Sequence, residues 1–158
     1  MNIIVQKYGG TSVGSIEKIR NVAQKVARRY REGNTIAVVL SAMAGETDRL
    51  INLAKELCPD PDSREMDVLI STGEQVSVSL LSMALKDLGV PSRSLLAHQI
   101  NIITDAAHTK ARILTIEAEA IQKVFAAGEV AVVAGFQGIT QDKNITTLGR
   151  GGSDTSAV

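Results

Sequence analysis

Lys7 ends an apolar run, Ile3-Ile4-Val5-Gln6, and is followed by Tyr8, the pair Gly9-Gly10 and the hydroxyls of Thr11 and Ser12. Glycines let a bulky anion approach the backbone and permit positive φ, and successive N–H groups in such a turn form an anion-binding concavity. A helix starting just beyond would add partial positive charge. These residues read as a phosphate cradle with a charged finger, although an ordinary turn beside a surface lysine fits them as well. The turn is not a P-loop, because Ser15-Ile16 stands where Lys-Ser/Thr is required. A second candidate is Gly149-Arg150-Gly151-Gly152-Ser153-Asp154, where a guanidinium able to grip carboxylate or phosphate is flanked by exposed backbone. The alternative for Arg150 is a solvated loop charge. A third is Ser41-Ala42-Met43-Ala44-Gly45-Glu46-Thr47-Asp48, with hydroxyls at Ser41 and Thr47. A fourth is Gly73-Glu74, in which an interior helical glycine marks close approach of a neighbour or ligand. Glu74 by itself is equally readable as a solvated helix carboxylate.

Strands must carry most of these groups. Thr35–Leu40 and Val130–Ala134 read as buried strands, Ser92–Ala97 as another, and the run before Lys7 as the first. Helical periodicity joins Ile16, Ile19, Ala23, Val26 and Tyr30, with Ser15 as N-cap and Gly33 as the stop. Leu50, Ile51, Ala54 and Leu57 mark the inward face of a second helix, which ends near Cys58 and Pro59. From an Asp62/Glu65 capping pair one long helix is expected to Leu88, with Met66, Leu69, Ile70, Gly73, Val76, Leu80, Ala84 and Leu88 inward. Ile102, Ile103, Ile113 and Leu114 suggest short extended pieces around an Asp105–Lys110 loop, and Ile116–Ala127 a helix. Asp142-Lys143-Asn144 reads as a hairpin tip, and Ser153–Val158 as the start of a helix with no stop signal. Alternating strands and helices define an α/β chain with a mainly parallel sheet, an αβα sandwich whose glycine-rich loops converge at one sheet edge.

The 158 residues suffice for one domain with a real core. Seventeen basic and seventeen acidic side chains cancel, and aromatic residues are few, which argues against nucleic acid as a partner. No apolar run is expected to span a membrane, and no signal peptide opens the chain, so a cytoplasmic location is expected. A single cysteine, Cys58, allows no internal disulfide. His98 and His108 have no ligand partners in register, so no metal site is expected and both are read as loop or surface residues. Lys7 and Arg150 together favour phosphoryl chemistry over hydrolysis.

The motifs Val5-Gln6-Lys7-Tyr8-Gly9-Gly10-Thr11-Ser12, Ser41-Ala42-Met43 with Thr47-Asp48, Ser71-Thr72-Gly73-Glu74, Gly135-Phe136-Gln137-Gly138 and Thr147-Leu148-Gly149-Arg150-Gly151-Gly152-Ser153-Asp154 resemble those of aspartate kinases, in the amino-acid-kinase superfamily, and stand in the family's order. The resemblance implies transfer of the ATP γ-phosphoryl group to the side-chain carboxylate of L-aspartate, giving 4-phospho-L-aspartate on the route to lysine, threonine and methionine. It implies that Lys7 and the Tyr8-Gly9-Gly10 backbone hold the transferring phosphates, with Asp154 orienting Lys7 and Ser153. Glu74 would meet the substrate ammonium and Arg150 its α-carboxylate. Ser41, Thr47, Gly151, Gly152 and Ser153 would complete the acceptor site. MgATP enters as co-substrate, with no tightly bound cofactor. Family catalytic domains continue well beyond Gly-Gly-Ser-Asp, into most of the nucleotide pocket and then regulatory ACT domains. Residues 1–158 are therefore expected to be the substrate-binding, N-terminal part of a catalytic domain, inactive alone and prone to homo-oligomerise through an uncovered surface. The competing expectation is a non-catalytic amino-acid-binding or assembly fragment of such a kinase.

Overall fold

The computed structural model describes residues 2–149 and 151–158. At its centre two runs of β-branched and small aliphatic residues, Thr35–Leu40 (β2) and Val130–Ala134 (β6), pair in parallel. Ile3–Tyr8 (β1) and Ser92–Leu95 (β3) complete the sheet in the order β1-β2-β6-β3, every pairing parallel. Such a sheet needs cover on both faces, which is why its middle strands are apolar at every position rather than at alternate ones. On one face Ile36, Val38, Leu40, Val130 and Val132 meet Ile19, Val22 and Val26 of Ile16–Arg31 (α1) and Val78, Leu81 and Leu85 of Thr72–Asp87 (α4). On the other, Ala37, Val39, Ala131 and Val133 meet Ile100, Ile102 and Val124, the last from Glu119–Ala126 (α5). The expected αβα sandwich is borne out. The edge strand β1 keeps Ile3 and Val5 exposed.

A second sheet is built from Ile102–Thr104 (β4), Ile113–Ile116 (β5), Gln137–Ile139 (β7) and Ile145–Thr147 (β8), in the order β5-β4-β7-β8. The hairpin read around Asp142-Lys143-Asn144 is the β7–β8 pair, closed by hydrogen bonds between Thr140 and Asn144. Ile116, expected in a helix, instead pairs with Ile102 in the β4–β5 ladder, so the helix begins at Glu119. The third strand ends at Leu95, where the Gln99 side chain accepts from the Leu96 N–H at 2.8 Å and turns the chain.

The long helix expected from Asp62 is two. Asp62 caps Ser63–Ile70 (α3) by accepting from the Glu65 N–H at 3.0 Å, and the helix register breaks at Ser71 before α4. The cause is local competition. The Ser71 and Thr72 hydroxyls bond back to the carbonyls of Val68 and Leu69, and Gln137 Nε2 donates to the Ser71 carbonyl at 3.0 Å. The inward face of α4 is only partly the expected one. Gly73 is buried and Leu80, Ala84 and Leu88 pack against the core as expected, but Val76 is exposed and the most deeply buried side chains are Glu74, Ser77, Val78, Leu81 and Leu85. Leu57, at the end of Glu46–Leu57 (α2), faces solvent rather than the core. By length and composition the stretch Ser63–Asp87 would suffice for a membrane span, against expectation, but half of it is buried inside the fold. It carries the buried carboxyls Asp67 and Glu74, as a core helix pair can.

Candidate active site

The carboxyl ends of β1, β2 and β6 open on a cleft of about 710 Å³, where parallel sheets place their ligands. Lys7, Gly9 and Gly10 line it from the first loop, Ser41–Gly45 with Thr47 and Asp48 from the second, and Phe136 from the third. The fourth loop, Leu148–Asp154, also reaches the cleft, but it follows β8 of the second sheet rather than a parallel strand. Gly152–Ala157 (α6) opens there.

The turn after β1 does its work through space rather than through φ. Neither Gly9 nor Gly10 adopts a positive φ, and a four-residue 3-10 helix, Gly10–Val13, stands between the strand and α1. The start of α1 is capped by Ser15, no residue from Thr11 to Ile16 lines the cleft, and Ile16 lines a different groove. A Cβ on Gly10 would lie 2.8 Å from the Ala42 carbonyl oxygen, because the first two loops are pressed together. Tyr8 does not line the cleft. Its ring packs against the α1–α4 side of the core, and its carbonyl accepts from the Ser41 N–H at 3.1 Å.

Lys7 Nζ meets Asp154 Oδ1 at 2.7 Å. Ser41 Oγ donates to Ser153 Oγ at 2.9 Å, tying the second loop to the fourth. Glu74 is 2% exposed. Its Oε1 accepts from the Ala42 N–H at 3.1 Å, while its Oε2 is buried with no hydrogen-bond partner, and the residue lines the cleft. Burial pushes the carboxyl up to about 7, against smaller opposing effects of its own backbone N–H, the Ala42 N–H and the nearby Gln137 side-chain amide. The structure thus brings together Lys7, Gly9, Gly10, Ser41, Thr47, Glu74, Gly151, Gly152, Ser153 and Asp154. Arg150 lies outside the described residues, between the cleft-lining Gly149 and Gly151.

Sequence reasoning missed Asp67. It is wholly buried and accepts from His108 Nδ1 at 2.7 Å; His108 lies in the loop before β5, as one of its two readings had it, with its side chain turned inward. The signal available was an aspartate at an interior position of an apolar helix, which requires donors from elsewhere in the fold. Met66, Ile70 and Thr109 line the cleft beside this pair. Among the described residues no group of three or more His, Cys, Asp or Glu side chains could hold a metal ion.

The raised Glu74 carboxyl has a consequence for the empty protein. The folded state holds the proton more tightly than the unfolded state, whose carboxyl titrates near 4.5, so stability from this group is present below that pH and is lost as pH rises through about 7. The loss is up to roughly 3 kcal/mol at 1.36 kcal/mol per pH unit. Urea denaturation at pH 5 and pH 8 should therefore show Glu74→Gln gaining on the wild-type chain at the higher pH. An identical difference at both pH values would mean that the carboxyl is not protonated in the folded state.

A parallel sheet lies between helical layers and carries a lysine-bearing turn at its carboxyl edge. The chain belongs to the amino acid kinase family, whose model matches residues 2–158. Within that family it is similar to aspartate kinases. It is 58% identical over 158 residues to the aspartate kinase of Stutzerimonas stutzeri, covering all of this chain and 38% of that protein. The crystal structure of aspartate kinase from Synechocystis superposes with a TM-score of 0.81 at 48% identity, covering 99% of this chain and 26% of that one. E. coli aspartokinase III, solved in complex with aspartate and ADP, shares the fold at a TM-score of 0.77 and 22% identity, with 98% and 45% covered. The chain spans about 38% of the length of the curated relatives it matches.

Proposed function

We propose that this chain forms the acceptor half and one phosphate-facing lysine of an aspartate kinase site. In the reaction a carboxylate oxygen of L-aspartate attacks the γ-phosphorus of MgATP, and the bond from that phosphorus to the ADP oxygen breaks. The acceptor is already ionised, so positioning and charge neutralisation carry the catalysis. Lys7, steered by Asp154, neutralises the transferring phosphoryl group beside the Gly9-Gly10 backbone. Glu74 receives the substrate ammonium, and Arg150 the α-carboxylate. Ser41, Thr47, Ser153 and the Gly151-Gly152 backbone surround the reacting carboxylate.

The observation that carries this reading is the unpartnered Oε2 of buried Glu74 on the cleft wall. A buried acceptor without a donor costs stability, and a ligand ammonium removes that cost. Calorimetric titration tests it directly. L-Aspartate should bind and release a proton near pH 6, where Glu74 is largely protonated in the empty chain, whereas succinate, which lacks the ammonium, should not bind. Equal affinity for the two would remove Glu74 from the assignment.

The chain spans well under half of its curated relatives, which supports binding without turnover. With ATP, Mg²⁺ and L-aspartate in a coupled assay, no ADP production above background is expected. A rate that depends on L-aspartate and disappears in Lys7→Met would show instead that these residues hold both reactants in line.

A further inference from the structure

The acceptor side of the cleft is lined by α3, by the turn at Thr109 and by the segment after β8, elements distant in sequence. One side chain of α3, behind the wall, bonds to the turn at Thr109 and to Thr147, the last residue of β8. Asp67, on α3, accepts from Thr147 Oγ1 at 2.5 Å, from the Thr109 N–H at 3.0 Å through both oxygens, and from His108 Nδ1 at 2.7 Å. The Ala111 N–H adds a bond to the Thr147 carbonyl at 3.0 Å. Met66, next to Asp67, faces the cleft, as do Thr109 itself and Leu148, next to Thr147. Thr109 has φ +67°, a left-handed conformation that a β-branched residue adopts only when its surroundings compel it. Local bonds close the loop around it, with Asp105 Oδ1 accepting from the Ala107 and Arg112 N–H groups, but the Thr109 N–H itself is held by the Asp67 carboxyl.

We propose that Asp67 and His108 are positioning residues of the acceptor site: the buried carboxylate, braced by the imidazole, holds Thr109 and the segment after Thr147 in place as the wall against which the acceptor amino acid packs. This rests on the reading of the cleft as an L-aspartate site. Neither residue touches the acceptor. The pair acts by fixing a strained turn, so its loss should loosen that turn and weaken acceptor binding without unfolding the sheet, whose core lies elsewhere. His108 is the cleaner target, because its removal leaves Asp67 still bonded to Thr109 and Thr147.

The test combines L-aspartate titration with amide hydrogen exchange on the intact chain. His108→Ala should weaken L-aspartate binding about tenfold and speed exchange at the Thr109 amide. His108→Asn, which keeps an N–H donor near the Nδ1 position, should recover affinity to within about threefold. Thr109→Gly relieves the left-handed conformation, so adding His108→Ala in that background should cost less than it does alone, a coupling that a general loss of stability would not produce. Wild-type affinity and slow Thr109 exchange in His108→Ala would overturn the proposal, as would full additivity in the cycle. If the wild-type chain binds no L-aspartate, the functional reading fails first. Unchanged Thr109 exchange in His108→Ala would then overturn the bracing role independently.

Discussion

Glu74→Gln is expected to weaken L-aspartate binding by on the order of a hundredfold, about 3 kcal/mol, the upper range for a hydrogen bond to a charged group. Glutamine has the same shape, and its carbonyl can still accept from the Ala42 N–H, so the loop geometry survives. Its amide places a donor where the unpartnered Oε2 now stands, and a donor repels an ammonium. The loss falls on a buried contact at 2% exposure, where water cannot substitute. Proton release on binding should vanish with the carboxyl. The same substitution should raise stability at pH 8, because it removes a buried ionised group left half-paired in the empty protein. Opposite signs for affinity and stability are the mark of a residue kept for its ligand. Binding by the variant within threefold of wild type would exclude Glu74 as the ammonium partner.

The second large effect is expected at Gly73. A Cβ there would lie 2.8 Å from the Ala42 Cβ and 3.6 Å from Glu46 Cγ, because α4 and the loop after β2 meet at van der Waals contact. Alanine would gain about 1 kcal/mol of helix propensity and lose at least as much to overpacking. Valine adds two further methyl groups with nowhere to go. Gly73→Val should cost about 3 kcal/mol by urea denaturation, at the top of the overpacking range. It should also abolish L-aspartate binding, since displacing Ala42 pulls its N–H from Glu74 and drags on the adjacent Ser41–Ser153 contact. Wild-type stability in the valine variant would mean that the helix and loop separate freely, and that the glycine is not there for close approach.

The sequence by itself determined the strands and their layer. Thr35–Leu40 and Val130–Ala134 are apolar at every position, a pattern that only a sheet covered on both faces satisfies, and the αβα arrangement follows from it. The hairpin at Asp142-Lys143-Asn144 and the Ser15 and Asp62 caps were equally legible, because each is a local requirement of backbone geometry, while Gly73 signalled a close approach whose partner, Ala42, only the fold named. The loops after β1, β2 and β6 were legible as one site because parallel strands bring their carboxyl ends to one edge; the loop after β8 and Glu74 of α4 reach the cleft by other routes.

Tertiary structure decided the rest. Around α4, apolar residues occur on every side, so periodicity could not tell Val76 from Val78 and Leu81, and only docking against α1 and the sheet chose the face. Ile116 obeyed its pairing with Ile102 rather than its helical neighbours. Gly10 turned out to supply room rather than positive φ, since its need comes from Ala42 in another loop. The burial of Glu74 and the donor set around Asp67 depend on segments far apart in the chain, from residue 42 to residue 147. A carboxylate's environment, and with it the proton it holds and the ligand it awaits, is set by what folding packs around it rather than by its neighbours in sequence.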